Sequence, residues 1–194
     1  MLERLIAYDK ELFIFLNNLG SEPWDGFWLL VTDKWTSIPL YIVLLVLSFQ
    51  KLGFKRTLVV IVSVVVMIIV TDQLANVFKY GVARLRPCHD ETVMNSMRLV
   101  KAYCGGKFSY FSAHAANSFA VATFFAILFR PYVKWFSVVL VIWALMVAYS
   151  RIYIGVHFPM DIITGISVGL LIGWLFFILV QKINDKIIRT NKTS

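Results

Sequence analysis

The chain has 194 residues, 59% of them hydrophobic, with a mean hydropathy of +0.76 and a formal charge of +8. Such apolar content excludes an ordinary soluble domain, and the length suits one compact bundle in a bilayer. Nucleic acid is not the implied partner, because the basic residues fall mainly in short connections between apolar runs and in the tail.

Residues 1–33 form the first unit. Glu3, Asp9 and Glu11 interrupt what a secretory signal would keep basic and then purely apolar. Leu2, Leu5, Ile6, Leu12, Phe13, Phe15 and Leu16 recur near helical spacing, which predicts an amphipathic helix over 3–18 lying in the membrane interface. Asn17-Asn18-Leu19-Gly20 ends it. Trp24, Trp28 and Trp35 sit near a short apolar piece at 27–32, as an aromatic belt would. The region reads as an anchor without chemistry.

Residues 34–194 read as a single all-α transmembrane bundle of about five spans. The strongest runs are 58–70 with a more polar continuation to Lys79, 112–129, 132–149 and 162–180; residues 39–49 complete a fifth crossing with those from Lys34 onward. Gly165, Gly169 and Gly173 make a stripe of small residues on the last span, which favours close helix packing. Lys51, Lys55 and Arg56, then Arg130 and Lys134, then Lys182, Lys186, Arg189 and Lys192 mark cytoplasmic ends by the positive-inside bias. The connections 80–111 and 150–161 then face outward from a cytoplasmic membrane, with the C-terminus inside.

The unusual residues collect on those outward segments. Lys79 and Arg86 supply donors suited to phosphate oxygens, the guanidinium as a bidentate partner. A basic loop resting on anionic headgroups is the alternative. Ser112 precedes Ala113, His114 and a long apolar run, so it reads as a helix cap, and a helix start offers free N–H groups to an anion. His114, in that first turn, could protonate a leaving oxygen; an interfacial histidine without that role is the other reading. Ser150-Arg151 and His157 to Asp161 complete the set. A neutral imidazole is a usable nucleophile, Asp161 one turn later can hold its other ring nitrogen, and Arg151 can neutralise an anion under attack. Together these describe phosphoryl transfer through histidine, unless Asp161 merely caps the last span.

Asp72 and Asn76 share a helical face with Lys79 and could line the access to the site, Asp72 positioning a cation or making only a structural contact. Cys88 and Cys104 are the only cysteines. An oxidising compartment permits a bridge, whose loop of about 15 residues would constrain the unfolded chain by roughly 3 kcal/mol, and two free thiols remain the alternative. Cys88, His89 and Cys104 are poorly spaced for tetrahedral zinc, so no metal is expected.

In order, Lys79-(six residues)-Arg86-Pro87, Phe111-Ser112-Ala113-His114 and Ser150-Arg151-(five residues)-His157-(three residues)-Asp161 resemble the three signatures of the type 2 phosphatidic acid phosphatase superfamily, over roughly residues 36–185. The resemblance implies a membrane lipid phosphatase without metal or cofactor. His157 would form a phosphohistidine, Asp161 would orient it and His114 would protonate the leaving group. Lys79, Arg86, Arg151, Ser112 and the Ala113 N–H would hold the phosphoryl oxygens. Phe111 and Ala113 depart from the usual proline and glycine, which puts in question a backbone angle open only to glycine. The implied partner is a lipid phosphate or pyrophosphate in the bilayer, with no obligate protein partner evident. An isoprenyl pyrophosphate such as undecaprenyl pyrophosphate is expected first, with phosphatidylglycerol phosphate, phosphatidic acid and lipid A as alternatives. A soluble vanadate-dependent haloperoxidase does not suit so apolar a chain. A non-catalytic lipid-phosphate binder or transporter stands as the reading from another class, against which both His114 and His157 argue.

Overall fold

The computed structural model describes residues 1–193, with side-chain surroundings through residue 186; the side chains of Arg189 and Lys192 in the basic tail lie outside the described residues. Its helices are α1 (Leu2–Asn18), α2 (Glu22–Thr32), α3 (Ile38–Leu52), α4 (Phe54–Val82), α5 (Ala113–Phe129), α6 (Phe136–Tyr153) and α7 (Pro159–Thr193). Lys34–Ser37 forms a 3-10 turn leading into α3, and an isolated bridge pairs Leu85 with Phe108. Lys34–Leu52, Phe54–Val82, Phe136–Tyr153 and Pro159–Lys186 are each long and apolar enough to cross a bilayer.

The fifth span is shorter and sits inside the others. α5 has 17 residues, a rise of about 26 Å, and is buried on most of its circumference from Ala115 to Phe129. An evenly apolar helix belongs in such a place. Gly165, Gly169 and Gly173 bring α7 against it: a Cβ built at Gly165 would stand 2.7 Å from the Ser112 carbonyl oxygen, and those at Gly169 and Gly173 would collide with the carbonyls of Ala116 and Ala120. The stripe therefore works as close packing, as its spacing predicts. Ile42, Val62, Val65, Ile69, Ile142, Leu145, Leu171 and Leu175 point outward, an apolar girdle suited to lipid.

Two sequence expectations change. α6 starts at Phe136 and runs to Tyr153, about four residues beyond the span expected at 132–149. Residues 130–135 are a turn around Pro131, which has no N–H to give a helix. At the other end, Trp28 of α2 packs on Tyr149 and Tyr153, with ring centroids 5.0 and 5.3 Å apart, so Ser150 and Arg151 belong to a covered helix end. Residues 1–33 are also more than an anchor. The stripe of α1 that meets the bundle is Asp9, Phe13 and Asn17, each one turn from the next, whereas Leu2, Leu5, Leu12 and Phe15 project away. Asn17 Nδ2 donates to the carbonyls of Arg98, Ile152 and Tyr153 at 2.9–3.1 Å, tying α1 to the outward loop and to the end of α6.

Candidate active site

Four helix ends meet at one end of the bundle. Lys79 lies in the last turn of α4, His114 in the first turn of α5, Arg151 in the last turn of α6, and His157 in the turn before α7. With Arg86 they line a cavity of about 420 Å³, together with Ala113, Asp72 and Thr32 to Lys34.

The backbone that presents these groups is locally determined. Ser112 caps α5, its Oγ accepting from the Ala115 N–H at 3.4 Å, and its own N–H donates to the Asp161 carbonyl at 3.1 Å. That last bond joins the start of α5 to the start of α7, and so the two histidine-bearing segments to each other. Ser112 is fully buried as a cap, while Ala113 and His114 reach the cavity wall. Ala113 is an ordinary first residue of the helix, so alanine suffices where a glycine angle was in question. Phe111 fills a small pocket with Ala75 and Ala116 and lies 5.5 Å from the Phe78 ring.

His157 follows a turn closed by Gly155, whose φ of +83° favours glycine and where a Cβ would stand 2.6 Å from the Arg98 carbonyl oxygen. Its imidazole is 2% exposed. Burial foremost, and then the cations of Arg151, Arg86 and Lys79, hold it well below the ordinary histidine pKa and therefore neutral. Nδ1 stands 3.4 Å from Asp161 Oδ2 without hydrogen-bond geometry. Oδ2 instead accepts from the Phe158 N–H at 2.9 Å, so Asp161 both starts α7 as half of a capping box and lies against the imidazole. The two readings of this residue turn out to be compatible.

Among the described residues, the cations in front of His157 lack carboxylate ion-pair partners. Arg151 is 5% exposed, gives Nη1 to Thr32 Oγ1 and leaves Nε with no partner. Arg86 is anchored by the carbonyls of Phe108 and Cys104, both at 3.2 Å. Among the described residues no carboxylate forms an ion pair with Lys79, Arg86 or Arg151. A buried cation, here Arg151, beside the half-buried Lys79 and Arg86 favours a counter-charge, so the cavity is suited to an anion.

The remaining expectations fall around it. Asp72 lines the cavity and accepts from Asn117 Nδ2 at 2.8 Å. Asn76 faces a neighbouring recess that Lys79 and Arg86 also border. Cys88 and Cys104 form a disulfide with Cα atoms 6.1 Å apart. Although His89 brings a ring nitrogen within 4.8 Å of them, the bridged sulfurs are not thiolate ligands. Sequence reasoning passed over Thr32, which anchors Arg151, and Asp9 and Arg84, which lie behind Asp161. A signal existed for Asp9: a carboxylate in line with Phe13 on an amphipathic helix.

Known proteins resemble this chain over most of its length. Positions 60–185 match the model of the PAP2 superfamily. The chain is 34% identical to a lipid A 4'-phosphatase of Bacteroides thetaiotaomicron, over 96% of its own length and 83% of the relative's. It is 36% identical to a lipid A 4'-phosphatase of Porphyromonas gingivalis over 89% and 72%. An undecaprenyl-diphosphatase of Sulfolobus acidocaldarius is 30% identical over 92% and 80%. The fold resembles the crystal structure of a transmembrane PAP2-type phosphatidylglycerolphosphate phosphatase from Bacillus subtilis, with a TM-score of 0.68 and 21% identity over 95% and 88% of the two chains.

Proposed function

The chain belongs to the PAP2 superfamily and is an integral-membrane lipid phosphatase of that type, and we propose that it removes a phosphate from lipid A, at the 4' position, through a phosphohistidine on His157. The observation that carries the chemistry is the cavity itself, where Lys79, Arg86 and Arg151 surround a buried neutral His157 with no carboxylate paired to them. The lipid A reading rests on the two relatives of that name, and it displaces the isoprenyl pyrophosphate expected from sequence. One wall of the cavity also suits a sugar-bearing phosphate, since Asp72 offers a hydroxyl acceptor and Trp143 an aromatic face.

In the proposed reaction the substrate phosphate occupies the cation cradle and the first-turn N–H groups of α5. A lone pair of the His157 imidazole attacks phosphorus. The bond from phosphorus to the lipid oxygen breaks as His114 delivers a proton to that oxygen. Water then attacks the phosphohistidine while His114, left neutral by the first step, takes its proton; the bond from phosphorus to the His157 nitrogen breaks with its electron pair returning to the ring, and inorganic phosphate leaves with His114 protonated again. Fixed cations supply the charge stabilisation that a metal provides in other phosphoryl transfers. The site is assigned to the outer face, because Lys51, Lys55, Arg56, Arg130, Lys134 and Lys182 lie at the opposite helix ends.

Phosphate release by purified protein from a panel of 4'- and 1-phosphorylated lipid A, undecaprenyl pyrophosphate, phosphatidylglycerol phosphate and phosphatidic acid tests the reading. We expect the 4'-phosphate to be the preferred substrate, with activity retained in chelator. Preference for undecaprenyl pyrophosphate would overturn the substrate, and loss of activity in chelator would overturn the metal-free chemistry. Binding of these lipids without any phosphate release would favour a binder.

A further inference from the structure

Behind Asp161, on the side away from the cavity, a second set of charges is fully paired. Arg84 leaves the end of α4 in an extended segment held by the Leu85–Phe108 bridge and by a 2.9 Å bond from the Ser109 N–H to the Arg84 carbonyl. Its Nη1 lies 3.3 Å from Asp161 Oδ1, and its Nη2 lies 2.6 Å from Asp9 Oδ2 on α1. Asp9 Oδ1 accepts from the Met160 N–H in the first turn of α7 at 2.8 Å, and the guanidinium carbon of Arg84 sits 4.1 Å from the centre of the Phe158 ring. Every carboxylate oxygen of Asp9 and Asp161 is therefore occupied, Asp161 Oδ2 by the Phe158 N–H. A carboxylate bonded through both oxygens cannot rotate, and its position relative to the adjacent imidazole is fixed.

Arg84 does not line the cavity of His157. It lines a separate, largely apolar groove under α1 with Asp9, Leu5 and Ile6, so it cannot hold the phosphate being transferred. We propose that Arg84, held by Asp9, is a positioning residue for the phosphoryl transfer: it fixes Asp161, which in turn orients the His157 imidazole, and the amphipathic helix α1 is thereby a working part of the site. The inference rests on His157 as nucleophile. When the ring gains positive charge on attacking phosphorus, an ionised carboxylate already in place stabilises it, and Arg84 keeps that buried carboxylate ionised and still.

The test is steady-state kinetics of the full chain in detergent, on whichever panel lipid the wild type hydrolyses fastest. Arg84→Ala is expected to lower kcat by about 10–100-fold with KM within about twofold, as for residues that orient a reacting ligand. Arg84→Lys, which keeps the charge but loses the fork, should recover part of that loss, and Asp9→Asn should lower kcat by about three- to tenfold. Lys10→Ala is the control, because the 2.7 Å Lys10–Asp90 ion pair also ties α1 down but touches neither Arg84 nor Asp161. It should lower the melting temperature and leave kcat unchanged. A folded Arg84→Ala with wild-type kcat overturns the proposal, as does a Lys10→Ala that loses as much kcat as Asp9→Asn. If Arg84→Ala does not fold, Asp9→Asn decides, and an unchanged kcat there is equally fatal. A wild type that releases no phosphate from any lipid would instead count against the phosphatase chemistry itself.

Discussion

The two sides of His157 treat charge in opposite ways. Behind it, Arg84 is shared between Asp9 and Asp161 in a network with no vacancy. In front of it, Arg151 is anchored by a hydroxyl and Arg86 by carbonyls, Lys79 lines the same cavity, and among the described residues none of the three forms an ion pair with a carboxylate. Paired charges hold a shape, whereas unpaired ones wait for a counter-ion. The difference is the basis for proposing the front side as the phosphate site, and it gives Asp9 and Asp161 a structural place at the back, while Asp72 on the front wall is bonded to Asn117 and not to a cation.

Substitutions can break that contrast, beginning with the residue between the two sides. His157→Ala removes the proposed nucleophile, and single-turnover phosphate release should fall on the order of 10⁴–10⁶-fold. His114→Ala removes only the proposed proton donor, so the loss should be about 10²–10⁴-fold and should shrink for an aryl phosphate, whose leaving oxygen needs no proton. Equal losses on both substrates would contradict that role. Arg151→Ala takes one cation from the front, with an expected loss of about 10²–10³-fold in kcat/KM.

Smaller effects sharpen the comparison. Replacing Cys88 and Cys104 by serine opens a loop whose closure is worth about 3 kcal/mol in the chain-entropy model. Because the Cys104 carbonyl anchors Arg86, KM should rise in the same variant, whereas an unchanged KM would separate the bridge from the front side. The pH profile reports on His157. Its imidazole is held neutral below the ordinary value of about 6.5, so kcat/KM should persist below that pH before falling. The unfolded chain protonates this group first, so its contribution to stability is complete above about pH 6.5 and is lost as pH falls toward the lower folded value. A kcat/KM limb centred near pH 6.5 would mean that neither burial nor the front cations hold the ring neutral.

Much of the front side was legible in sequence because its groups announce themselves locally. Arg151, His157 and Asp161 sit within one short stretch, and Ser112 with His114 marks a helix start. Charged side chains flanking apolar runs have few innocent explanations. The stripe of glycines marked close packing of the last span for the same reason, a regular spacing on one helix, though not that α5 would be its partner. The back side was not legible. Arg84 reaches Asp9 and Asp161 across 75 and 77 residues, and no local pattern specifies such pairings. The extension of α6 through Tyr153 depends on its cover by α2, which hydropathy does not register. In α1, periodicity identified the amphipathic helix but not that Asp9 and Asn17 would face the protein, with much of the apolar face left exposed.

The central claim is that the neutral imidazole of His157 takes the phosphoryl group within a cradle of unpaired cations. Rapid quenching of the wild-type protein with radiolabelled lipid phosphate tests it most directly. The account predicts an alkali-stable, acid-labile label on His157 that forms and decays at rates compatible with turnover and is absent from His157→Ala. Turnover by His157→Ala at the wild-type rate, with no label on either protein, would contradict it.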